Sequence, residues 1–346
     1  TDDFTGTALN DTFSAGEGAA GAATLTVGDT INGGAGTDTL NFIETDAITR
    51  LPVGSTLTSV EILNVIGGAA VTIDTTTGVT GLTDLNVTNE AANQTITAAA
   101  TQNVTSVVTA QAAADVIVNG GKAVSVTGTG VTAVANITIG GTTAAASTVA
   151  ASSTATFVNN SANDFTMGAH IITGGTTVTS TQSAGLTASN TTAALADATN
   201  GEITQGAVTV TGDANTTAVT VTQDSAQSDV DTAGIGRIGI VNGAVNILDA
   251  NRASTTAAGT IATADVTGGA AVVVNSGALT ALNLASTFTT VNAGTLGALT
   301  TAANTTLALG LTGAVSTGAV TIDTDITTLN ISGNTTTSTI ASLVAS

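Results

Sequence analysis

The most constraining feature of this chain is its punctuation. Short runs alternate Val or Ile with Thr, as in Ala70-Val71-Thr72-Ile73-Asp74, Ala207-Val208-Thr209-Val210-Thr211, Ala218-Val219-Thr220-Val221-Thr222 and Ala319-Val320-Thr321-Ile322-Asp323. Alternation of period two in β-branched residues marks strands with one buried side. Pro52 is the one proline, so the 40 glycines, with Asn and Asp, must turn the chain. Helical periodicity is not sustained anywhere. Alanine clusters such as Ala98-Ala99-Ala100 and Ala144-Ala145-Ala146 are short and bounded by Thr or Ser, which favour caps and turns. The chain is all-β.

A second pattern recurs at Leu63-Asn64-Val65, Leu85-Asn86-Val87, Leu282-Asn283-Leu284 and Leu329-Asn330-Ile331. The first two copies are spaced like one coil of a parallel β-solenoid, about 18 to 25 residues. A solenoid also explains the side chains. Its thin core takes Ala, Val, Ile, Leu and Thr, whereas aromatic residues are only 2% of the chain and Trp and Tyr are absent. An antiparallel sandwich alternates too, but at this size it would use more aromatic residues and prolines. Coils of that length predict about 15 to 18 of them, stacked about 4.8 Å apart into a rod about 70 to 90 Å long.

Charge narrows the partners. The formal net charge is -20, with only Arg50, Lys122, Arg237 and Arg252 basic. Nucleic acid needs clustered Lys and Arg, and anionic lipid repels such a surface. Cations are the natural counter-partners. Thr, Asn or Gly interrupts every apolar stretch before the roughly 18 residues of a membrane span, so membrane insertion is not expected. Cysteine is absent, which removes disulfides and thiolate metal sites.

Gly33-Gly34-Ala35-Gly36-Thr37-Asp38-Thr39-Leu40-Asn41 matches the nonapeptide G-G-x-G-x-D-x-U-x at every defined position. Glycines let backbone carbonyls turn inward, the aspartate adds a hard oxygen, and Ca²⁺ takes six to eight oxygens. The register extends backward in steps of nine through Asp29, Ala20, Asp11 and Asp2, and two places after each slot come Leu40, Ile31, Ala22, Phe13 and Phe4. Gly16-Glu17-Gly18 precedes Gly34-Ala35-Gly36 by two such steps. Two nonapeptides per coil would set residues 15–20 beneath 33–38 and residues 6–11 beneath 24–29. Asp29 and Asp38 would then serve opposite edges and different ions. The candidate ligands for several Ca²⁺ ions are Asp2, Asp11, Gly16, Glu17, Gly18, Gly28, Asp29, Gly33, Gly34, Gly36 and Asp38. Asp224, Asp229 and Asp231, or Asp323 and Asp325, are further candidates, though each reads more simply as a solvated loop acid.

Catalytic constellations lack parts. His170 is the one histidine, so zinc sites and Ser-His-Asp or Cys-His chemistry are not assembled. It reads as a partly buried loop residue. Carboxylates abound, but the aromatic platforms of polysaccharide clefts do not. Gly234-Ile235-Gly236-Arg237-Ile238-Gly239 imitates a dinucleotide fingerprint without its βαβ context. No enzymatic activity is expected.

The nonapeptide resembles the RTX calcium-binding repeats of proteins exported by type I secretion. The stretch from Gly6-Thr7-Ala8-Leu9-Asn10-Asp11-Thr12-Phe13 to Leu40-Asn41, with Gly78-Val79-Thr80-Gly81-Leu82-Thr83 and Ser338-Thr339-Ile340-Ala341-Ser342-Leu343-Val344-Ala345, is similar to the calcium-dependent surface-layer proteins of Caulobacter-type bacteria. The likeness is strong over roughly the first hundred residues and mainly compositional through the middle. It implies an extracellular, self-assembling, lattice-forming β-solenoid at the bacterial cell surface, with many bound Ca²⁺ ions and no catalysis. Nothing in the chain matches that family's lipopolysaccharide-anchoring amino-terminal domain, so anchoring is not carried over. The expected organisation is an RTX-like β-roll segment at 1–46, then a Thr/Ala/Gly-rich solenoid at 47–346 with irregular loops around 157–172 and 223–237. The runner-up readings are an RTX-type adhesin segment, a Thr-rich ice-binding solenoid or a related extracellular filament.

Overall fold

A computed structural model of the chain describes residues 1–16, 24–157, 165–186, 203–226, 240–294, 303–333 and 337–345. These form 28 strands and no helix. No helix is therefore long and apolar enough to cross a membrane among the described residues. Every strand pairing is parallel. Parallel neighbours joined by a full turn of chain make a solenoid and rule out the antiparallel sandwich.

Two long faces form one 21-stranded sheet. The first face runs Thr12–Gly16, Thr39–Glu44, Ile62–Gly67, Asp84–Asn89, Asn103–Val108, Val124–Thr129, Thr148–Phe157, Thr177–Leu186 and Ala218–Ala226. The second runs Val71–Asp74, Gln94–Ala98, Val116–Gly120, Ile137–Ile139, His170–Thr173, Val208–Thr211 and Val245–Leu248. The longer strands Thr263–Asn275, Ala281–Gly294 and Thr306–Ile322 bend through both faces, and Thr328–Gly333 and Thr339–Ala345 close the stack.

A short third side appears in two places. Asp3–Thr5, Thr30–Asn32, Thr56–Thr58 and Val79–Thr80 form one beside the start of the first face. Phe165–Thr166, Ile203–Thr204 and Ile240–Val241 form another beside its end. Third-side strands thus occur near the N-terminal end and again at residues 165–241; between them the isolated parallel bridge Ala112–Val131 joins coils away from the two faces.

Core residues stack in single file. Leu40, Leu63, Leu85, Val104, Val124, Val149, Val178, Val219, Ala264, Leu282 and Leu309 make one column, each no more than 2% exposed. Each full burial of a Leu or Val contributes about 1.5 to 3 kcal/mol. On the solvent side of the same strands, Asn64 Nδ2 donates to Asn41 Oδ1 (2.8 Å) and Asn86 Nδ2 to Asn64 Oδ1 (2.9 Å). In its first two copies the Leu-Asn-x motif therefore places Leu inside and Asn in an outer amide ladder.

The coil length departs from the sequence expectation. Phe4 pairs with Ile31 and Phe13 with Leu40, so the first coil holds 27 residues, three nonapeptides rather than two. The third-side strand Thr30–Asn32 occupies a nonapeptide of its own, which a two-sided roll would not need. Ala15 and Gly16 consequently do not lie beneath residues 33 and 34 but pair with Phe42 and Ile43, and Asp11 lies beneath Asp38 rather than Asp29. Later coils range from 18 residues (Asp265 to Asn283) to 45 (Val219 to Ala264). The first face is crossed about thirteen times, giving a stack about 60 Å long. Within the stretch 157–172, Phe165–Thr166 and His170–Thr173 are strands, so His170 is a strand residue and fully buried, not a loop residue.

Candidate functional site

The nonapeptide acids sit immediately before strands, at two corners of the triangular coils. Asp2 and Asp29 precede the third-side strands; Asp11 and Asp38 precede the first-face strands. Asp2 therefore stacks under Asp29, and Asp11 under Asp38. Asp29 and Asp38 flank one strand, Thr30–Asn32, at its two ends.

Each upper acid clasps the coil below. Asp29 Oδ1 accepts the Asp2 N–H (2.7 Å), and its Oδ2 accepts the Thr26 N–H (2.6 Å) and hydroxyl (3.0 Å). These backbone donors, Thr26 first and then Asp2, hold the Asp29 carboxyl below the usual carboxylate range. Asp38 Oδ1 accepts the Asp11 N–H (2.7 Å), and Glu61 Oε2 accepts the Asp38 N–H (2.7 Å). Asp11, Asp38 and Glu61 are thus one column in which every carboxylate above takes the backbone N–H of the acid beneath.

The two lower acids differ in what remains. Asp11 Oδ2 accepts the Thr7 N–H (2.5 Å) and hydroxyl (2.9 Å). Asp38 is fully buried, and its Oδ2 has no hydrogen-bond partner. The position equivalent to Thr7 is Gly34, whose N–H goes to Asn32 Oδ1 (3.2 Å).

Glycine shapes this corner. A Cβ on Gly33 would overlap both the Ser59 carbonyl oxygen and Asp38 Oδ2. One coil lower, a Cβ on Gly6 would meet the Gly33 carbonyl oxygen and Asp11 Oδ2. The same cradle thus repeats after 27 residues: a bare Cα faced by a carbonyl oxygen from the coil above and a carboxylate oxygen from its own coil. Gly16, Gly28, Gly34 and Gly36 all have positive φ (128°, 83°, 99° and 128°), which the turns require. Glu17 and Gly18 lie outside the described residues.

These oxygens test whether a cation fits. Asp38 Oδ2 and the Ser59 carbonyl are hard donors that both approach the Cα of Gly33, and one of them is a buried acid oxygen with no proton donor. That is two of the six to eight oxygens calcium takes. At Asp29 both oxygens already accept hydrogen bonds. No three acidic or histidine side chains converge on one point among the described residues. The corner at Asp38 fits a cation better than the corner at Asp29.

The other named acids are scattered. Asp229 and Asp231 lie outside the described residues, as does the 234–239 glycine motif; Asp224 belongs to the strand Ala218–Ala226. Asp323 is buried, and this burial, with Asp325 nearby, pushes its carboxyl above the ordinary value. Its Oδ1 accepts the Asp325 N–H (2.9 Å), and Asp325 Oδ2 has no partner.

A further ladder carries no glycine motif. Asn93 Oδ1 accepts the Asp115 N–H (3.0 Å), Asp115 Oδ1 the Asn136 N–H (2.8 Å), and Asn136 Oδ1 the Ala169 N–H (2.9 Å). Here each side chain caps the coil above. The available signal is an Asn or Asp directly before a second-face strand: Asn93 before Gln94, Asp115 before Val116, Asn136 before Ile137. Asp249 is a further buried clasp. Its Oδ2 accepts the Thr260 N–H (2.8 Å), the Ile261 N–H (2.9 Å) and the Ser276 hydroxyl (2.9 Å), and its Oδ1 the Asn251 N–H (2.8 Å).

No protein-family model matches the chain, and no curated protein matches it.

Proposed function

We propose that this chain is a structural, non-enzymatic component of a calcium-dependent bacterial surface layer, assembling with copies of itself outside the cell. The observation that carries the reading is the parallel stack of about thirteen coils, most of them wound over one long aliphatic core. Such a rod offers long, regular sides for repeated contacts rather than a chemical centre. Its surface depressions are shallow; the one over Thr148, Ala150, Thr177 and Thr179 holds about 280 Å³.

Calcium enters this reading at the Asp38 corner. Asp38 Oδ2 and the Ser59 carbonyl would hold it, and the ion would neutralise acids that otherwise repel in a chain of net charge -20. Binding to the folded corner alone would couple calcium to folding. Export by type I secretion and placement on the cell surface rest on the resemblance to RTX surface-layer proteins.

A second reading has one observation in its favour. Thr179 and Thr181 stack on Thr220 and Thr222, and Ser152 and Thr267 extend the second column. This hydroxyl array is what an ice-binding face would use, although Ala150 and Asp265 interrupt its neighbouring column.

Electron microscopy of the purified chain, with calcium and after chelation, separates these readings. Calcium-dependent sheets support the surface layer. Monodisperse rods in both conditions, or thermal hysteresis from such rods, would reject it for an adhesin-like segment or an ice-binding solenoid.

A further inference from the structure

The only histidine of the chain sits in the middle of the rod, where Ser153, Ser180 and Gln182 are also buried. His170 begins the second-face strand His170–Thr173, stacked between Ile137 below and Val208 above, and is fully buried. Its ring spans the core. Nε2 lies 2.7 Å from Ser153 Oγ and Nδ1 lies 2.8 Å from Ser180 Oγ. Ser153 and Ser180 belong to successive first-face strands, Thr148–Phe157 and Thr177–Leu186, and both hydroxyls are buried. One imidazole therefore ties the second face to two coils of the first.

We propose that His170 is an acid-sensitive joint: mild acid favours opening of the coils around it, where the freed ring takes a proton, before the acid-clasped N-terminal coils give way.

The neutral ring suits this place in either tautomer, because one nitrogen donates to a serine and the other accepts from its partner. Rotating hydroxyls can also accept from both nitrogens of a charged ring. The penalty for charging it is thus desolvation, not lost hydrogen bonds. No compensating charge is close. The inward neighbours are Ile137 and Ile139 on the strand below, Val208 and Val210 on the strand above, and Ala151, Ala155, Val178 and Gln182 across the core. None of these ionises. Burial accordingly lowers the imidazole from 6.5 to about 4.

The sign follows. The unfolded chain binds the proton near pH 6.5, and the folded chain only near 4. Stability is therefore full above about pH 6.5 and falls as pH drops toward 4, where the folding equilibrium constant is about 160-fold lower from this group alone. With no second histidine and no cysteine, no other side-chain type ordinarily titrates between pH 5 and 6.5.

The test compares thermal unfolding of wild type and His170→Gln at intervals from pH 7.5 to 4.5. The melting temperature of wild type should fall through this window, and that of the variant should fall markedly less. Equal falls would overturn the proposal. Should the variant fail to fold, NMR of wild type labelled at histidine gives a single imidazole signal to follow. A signal that stays neutral while the protein is folded, down to pH 5, supports the joint. A folded-state titration centred near 6.5 would overturn it.

Discussion

The backbone N–H of Asp11 donates to Oδ1 of Asp38, 27 residues later and one coil higher, at 2.7 Å. The motif aspartate is thereby a clasp between coils before it is anything else. Its second oxygen, buried and without a partner, is what remains for a cation.

Replacing Asp38 separates the two roles. Asp38→Ala removes the acceptor and leaves the Asp11 N–H uncapped, so the N-terminal coils should lose about 1 to 3 kcal/mol. Asp38→Asn keeps an acceptor oxygen and should lose less. Hydrogen exchange at residues 11–13 checks both, with faster exchange expected in Asp38→Ala.

Gly33→Ala should be as damaging as loss of the acid. The new methyl would press on the Ser59 carbonyl and on Asp38 Oδ2, neither of which can move without shifting a coil. Overpacking of this kind costs about 1 to 3 kcal/mol. Denaturant unfolding of the variant should show the lower midpoint.

Asp249→Ala should destabilise the two-sided coils beyond residue 249. It strips acceptors from three backbone N–H groups and from the Ser276 hydroxyl, all tied to one carboxylate. A loss of about 3 kcal/mol or more is expected, read as a fall in the denaturant midpoint.

Acid should act on the N-terminal coils at lower pH than on His170. The Asp29 carboxyl is held below its ordinary value by backbone donors, and that of Asp84 by the Asn103 side chain and then Thr83. Their stabilisation is present above the ordinary carboxylate pKa, near 3.9, and is lost as pH falls through and below it. Acid titration of secondary structure should show a shallower loss below pH 4 in Asp29→Asn than in wild type.

Some of this was readable from local pattern, and some was set only by winding. The Leu-Asn-x repeat located the inner column and its register, because Leu63 and Leu85 pair as their spacing implies. The nine-residue step also located the strand-preceding acids. How many steps close a coil depends on whether a third side forms, which no single nonapeptide encodes. The threonine columns were hidden for a similar reason: Thr179 and Thr220 are neighbours across 41 residues of chain. The glycine two places before His170 reads as a turn signal, whereas the strand phase turns the ring inward.

The central claim is that the Asp38 corner takes calcium and that the folded rod depends on it. Calorimetric titration of calcium into chelator-treated protein tests this most directly, with wild type, Asp38→Asn and Asp29→Asn side by side. Binding by wild type and Asp29→Asn, weakened at least tenfold in Asp38→Asn, is the predicted result. No binding by wild type, or equal binding by all three, would contradict it.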